Sequence, residues 1–162
     1  MTEQPPEPII QTVAEAVRAQ SARRIAIFAA PGTDEAPPEW LPVDAMRVSA
    51  CTDLQAGRPD GARVDLALLT PDWLRQAADA GNLERELAAL RDLYAGAVLA
   101  VAEQDAPLSD AGWRALGFTT HRRDARTGTA LQGFNLYDYK QRPDWLNARN
   151  WANPELWDVY RW

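Results

Sequence analysis

Val64-Asp65-Leu66-Ala67-Leu68-Leu69-Thr70-Pro71-Asp72 is the stretch that decides the fold class. The first six residues are apolar but for one and lack the alternation of a half-exposed strand, so they predict a strand buried on both faces, as in parallel sheets. Thr70 and Pro71 then open a helix over about 71–80. Threonine accepts from the free N–H groups of a first turn, and proline at N1 gives up a donor that has no partner there. A buried strand feeding a capped helix is half of a βαβ unit.

The pattern recurs on both sides. Ile25-Ala26-Ile27-Phe28-Ala29-Ala30 is an unbroken apolar run ending at Pro31-Gly32, and Ala97-Val98-Leu99-Ala100-Val101-Ala102 is another. A strand over Val43 to Ala50 is expected between two Pro/Gly-rich loops at 31–42 and 53–63. Ile9, Val13, Ala16 and Val17 recur at helical spacing and predict a helix over 9–20. Asn82 is placed to cap a helix carrying Leu83, Leu87, Leu90 and Tyr94, closed by Gly96. Ser109 caps a short helix through Leu116, ended by Gly117. Phe118 to Arg123 and Leu131 to Tyr139 read as two strands whose short connection permits only antiparallel pairing.

The fold class expected is therefore α/β, a three-layer Rossmann-like domain with a mostly parallel sheet and a closing antiparallel hairpin. One domain spans 1–162, with 1–8 as a flexible tail, 9–140 as core and 141–162 as an extension packed on it. Trp145, Trp151, Trp157 and Trp162 punctuate that extension, and Asp144 and Asn153 can cap short helices within it. Such aromatics either finish the core or present anchors to a protein partner or a second copy, with Trp151, Trp157, Tyr160 and Trp162 the candidate contact residues.

Composition narrows the functions. A net charge of -6 argues against a phosphate-binding face for nucleic acid. A lone Cys51 and a lone His121 supply neither a disulfide nor a metal cluster. No stretch approaches the roughly 20 apolar residues of a membrane span, and the acidic, proline-rich Met1 to Pro8 has no signal-like apolar region, so a cytoplasmic protein is expected.

From residue 64 to about 140, the order of strand, Thr70-Pro71-Asp72-Trp73, helices, Gly96-to-Val101 strand, Trp113-to-Phe118 and hairpin resembles the second half of class I S-adenosylmethionine-dependent methyltransferases. In that family a short helix closing in Leu-Gly-Phe delivers the chain to an antiparallel pair at one sheet edge. The resemblance implies a cofactor turn after the first strand at Gly32 and Thr33, a ribose-holding acid at Asp53, and an acceptor-side motif at Thr70 to Trp73. Here the turn is Ala29-Ala30-Pro31-Gly32-Thr33, with one glycine and a proline that removes a donor. The segment from Tyr139 to Arg149 and the Trp-rich close are also similar to a small family of short proteobacterial proteins to which no activity attaches.

The leading expectation is a methyltransferase-like scaffold without its cofactor loop, binding no cofactor or metal and serving as an interaction or structural module. The alternative is a small methyltransferase that holds S-adenosylmethionine through Gly32, Thr33, Asp53 and Thr70. Thr70 is expected to cap its helix, and Trp73 to cover a core edge. Glu103 and Asp105 are read as solvated loop acids, Cys51 as a small core residue, and His121 as an exposed strand residue. Arg122, Arg123 and Arg126 are read as charges that protect an edge strand.

Overall fold

In a computed structural model the described residues are 5–32, 45–51 and 63–139. Along the chain they form α1 (Glu7–Ala19), β1 (Ile25–Phe28), β2 (Ala45–Val48), β3 (Val64–Leu69), α2 (Pro71–Asp79) and α3 (Leu83–Ala89). A π-helical turn (Leu90–Tyr94) follows, then β4 (Ala95–Ala102), α4 (Asp110–Ala115), β5 (Thr119–Arg123), β6 (Ala130–Asn135) and α5 (Leu136–Tyr139). Residues 141–162, and with them the expected tryptophan extension, lie outside the described residues, as does the start of the strand expected from Val43.

The six strands make one mixed sheet in the order β2-β1-β3-β4-β6-β5. β2, β1, β3 and β4 are parallel, and β6 joins β4 antiparallel with Val98 opposite Phe134. Alternate side chains of each central strand go to opposite faces, and both faces are covered, which is why the sequence runs are apolar throughout. On one face Ile9, Val13 and Val17 of α1 pack on Ile25, Ile27, Leu66, Leu68 and Leu99. On the other, Trp73, Leu74, Leu87 and Trp113 meet Phe28, Ala67, Leu69, Val98 and Ala100. Each such apolar side chain contributes about 1.5–3 kcal/mol by leaving water, so the sheet centre carries most of the stability.

Helix ends follow the sequence at Thr70, Ser109 and Gly117, among others. Thr70 Oγ1 accepts the Trp73 N–H at 3.4 Å, and Ser109 Oγ accepts that of Gly112 at 3.2 Å. Gly117 ends α4 with φ of 84°, a left-handed conformation that suits glycine. α1 closes the same way but with Ser21 at φ 48°, where Ser21 and Ala22 donate to the Arg18 and Val17 carbonyls.

Other expectations are corrected. α1 starts at Glu7 rather than 9, because Pro8 falls in the first turn, where a missing N–H costs nothing. Asn82 makes no side-chain cap, its backbone being already helical. Gly96 does not end a helix: the π-helical turn passes straight into β4, and Gly96 sits within that strand, where a Cβ would lie 3.3 Å from the Asp65 carbonyl. The last strand stops at Asn135 instead of 139, because Asn135 Oδ1 accepts the Tyr137 N–H at 2.9 Å and turns the chain into α5.

Candidate functional site

In an open parallel sheet, ligands collect outside the carboxyl ends of the strands, where neighbouring connections leave in opposite directions. Here that place is between β1 and β3, since β2 lies on one side of β1 and β3 and β4 on the other. Thr70 follows β3, and its hydroxyl is fully engaged as a donor: it gives its proton to the Phe28 carbonyl at 2.9 Å while capping α2. A threonine hydroxyl has only one proton to give, so Thr70 ties β3 to β1.

Trp73 follows in the first turn of α2 and is 2% exposed. Its ring meets Phe28 edge-on, with centroids 5.2 Å apart, and its Nε1 donates to the Ser49 carbonyl at 2.8 Å. The indole therefore reaches from the end of β3, past the last residue of β1, to the chain leaving β2. Sequence reading left Trp73 as edge cover, and nothing in it signalled the Ser49 contact, which depends on strand order.

Gly32 lies just beyond β1, exposed, with φ of 87° and, among the described residues, no atom within 4 Å of where a Cβ would stand. Thr33 and Asp53 lie outside the described residues, as do Trp151, Trp157, Tyr160 and Trp162. Cys51 is buried, with its N–H donating to Glu86 Oε2 at 3.1 Å and its thiol 3.7 Å from the Glu86 carbonyl.

Glu103, expected as a solvated acid, is instead paired with Arg75, which also holds Asp72 at 2.8 Å. This bridge links α2 to the end of β4, and the Asp72–Arg75 half of it is the i, i+3 spacing that sequence makes legible. Asp105 is exposed. His121 is exposed in β5 at a break in the pairing register, its ring lying over Gly133, where a Cβ would be 2.2 Å from Nε2. Arg123 pairs with Asp110 at 2.7 Å.

Cys51 and His121 belong to opposite ends of the strand order. Five strand spacings of about 4.8 Å separate β2 from β5, roughly 24 Å, too far for a nucleophile and its base. Among the described residues, no three His, Cys, Asp or Glu side chains gather as a metal site, and no helix is long and apolar enough to cross a membrane.

The chain belongs to a family of unknown function, DUF6231, whose model matches residues 4–162. No curated protein matches it, and no solved structure does.

Proposed function

We propose that this DUF6231 protein is a non-catalytic binding module working in the cytoplasm, a methyltransferase-like scaffold of reduced Rossmann type whose cofactor end is closed by its own side chains. One observation carries this reading: Trp73, buried and hydrogen-bonded to Ser49, lies across the β1–β3 end where a dinucleotide or nucleoside ligand would seat. An indole there takes the volume of an adenine, and displacing it would break its bond to Ser49. The antiparallel pair at one edge of the sheet is in keeping with the methyltransferase resemblance. A protein partner or a second copy, met through Trp151, Trp157, Tyr160 and Trp162, is preferred over nucleic acid because the chain carries a net charge of -6.

The competing reading is a small methyltransferase using Gly32, Thr33, Asp53 and Thr70, and it draws on the open, left-handed Gly32 after β1. Calorimetric titration with S-adenosylmethionine and S-adenosylhomocysteine separates the two. No heat at millimolar ligand is expected. Micromolar binding, about -8 kcal/mol, would overturn the module reading and require Trp73 to move.

A further inference from the structure

An open groove of about 730 Å³ lies at the other end of the sheet, beneath the amino ends of β3 and β4. Arg23, Arg24, Arg63 and Asp65 line it on the β1 side, and Asn135 and Tyr137 on the β6 side. Three guanidinium groups face one carboxylate, in a chain that is acidic as a whole. That carboxylate is already met: Asp65 Oδ2 accepts the N–H groups of Arg23 and Arg24 at 2.9 and 2.8 Å, and Arg24 stands 3.7 Å from Oδ1.

The nearby acid Asp92 is held by Arg91 at 2.7 Å, while Arg63 donates to the Asp92 and Ala95 carbonyls. Asn135 has spent its oxygen on Tyr137 N–H, which leaves its amide as a donor. The Arg23 side chain is exposed and makes no ion pair or hydrogen bond within the described residues. The negative end of α1 does not oppose an anion strongly, because Gln20, Ser21 and Ala22 donate to its last carbonyls.

Two large apolar side chains stand open at this end, Tyr137 at 78% and Leu93, in the π-helical turn leading into β4, at 60%. Arginine beside exposed aromatic and aliphatic groups is the composition of a protein contact. A lone oxyanion would leave Tyr137 and Leu93 unused, and three arginines are few for a nucleic-acid backbone.

We propose that this groove binds an acidic, extended peptide segment of a partner protein, with carboxylates on Arg23 and Arg24 and an apolar side chain against Tyr137. The inference rests on the binding-module reading and adds to it a second contact surface, apart from the tryptophan segment, with its own partner class.

The test is fluorescence anisotropy with the full chain and a fluorescein-labelled, glutamate-rich dodecapeptide carrying two leucines. Saturable binding is expected, weaker at high salt, reduced about tenfold or more by Arg23→Glu, kept by Arg23→Lys and reduced by Tyr137→Ala. Both positions are exposed, and circular dichroism confirms that the variants fold. Absence of binding, equal binding by Arg23→Glu, full displacement by pyrophosphate, or a concentration-dependent dimer abolished by the same substitution would each overturn the proposal. A null result here with no response to S-adenosylmethionine removes the groove and leaves the binding-module reading intact; S-adenosylmethionine binding removes that reading itself.

Discussion

Asp65 is the one interruption in an otherwise apolar strand, and its role is local. Burial pushes its carboxyl up, but the N–H groups of Arg24 and Arg23, with the Arg24 guanidinium, outweigh this and hold it below its ordinary value of 3.8. A depressed folded value means stability present above the unfolded value and lost as pH falls through the folded one. Asp65→Asn should therefore cost about 1 kcal/mol at neutral pH, the low end for charged hydrogen bonds because the site is partly open, with the difference from the parent shrinking below about pH 4. Urea melts at pH 7 and pH 3 check this, and an equal loss at both would sink it. At Ser21 the left-handed backbone carries a side chain that glycine would spare. Ser21→Gly should raise stability by up to about 1 kcal/mol, some 2–4 °C in Tm for a chain of this length.

Among the elements, the strand-to-helix passage from β3 to α2 does the most to shape the candidate site. Trp73→Phe keeps most of the apolar contact but leaves the Ser49 carbonyl without its indole donor, an expected loss of about 1–2 kcal/mol. Trp73→Ala should cost about 3–5 kcal/mol. Thermal melts of the two variants give the ratio, and a Trp73→Ala protein as stable as the parent would mean that the ring is not part of the core. Most of this passage was legible beforehand, because caps and buried strands are written in nearest neighbours: Thr70, Pro71, Ser109 and Gly117 all act as their spacing implies. What was not legible depends on residues far apart in sequence. The Arg75 bridge to Glu103 and the Trp73 contact with Ser49 exist only once β2, β3 and β4 are ordered in space. The early end of β6 was missed for a different reason, since Asn135 competes locally with the ladder and reads in sequence like any strand-edge polar residue.

For the molecule as a whole, the apolar runs specified a mostly parallel sheet with both faces of its centre covered and the short β5–β6 connection its antiparallel pair, whereas the candidate site depended on where loops meet and stayed largely closed to sequence reading. Protection from hydrogen exchange should follow the same division, highest in β1, β3 and β4, where nearly every residue is buried, and lowest in β5, which is exposed along its length. Uniform protection across the six strands would contradict that. All eight residues of β4 are buried, and the strand is bordered by a parallel neighbour on one side and an antiparallel one on the other. That position has a meaning for biosynthesis. As the chain leaves the ribosome, β3 emerges with one edge bare and apolar on both faces, and it stays so until the chain from Leu69 to Ala102 has been made. At 5–20 residues per second that interval is roughly 2–7 s, long enough for a nascent chain to be met by a chaperone or by another unfinished copy of itself.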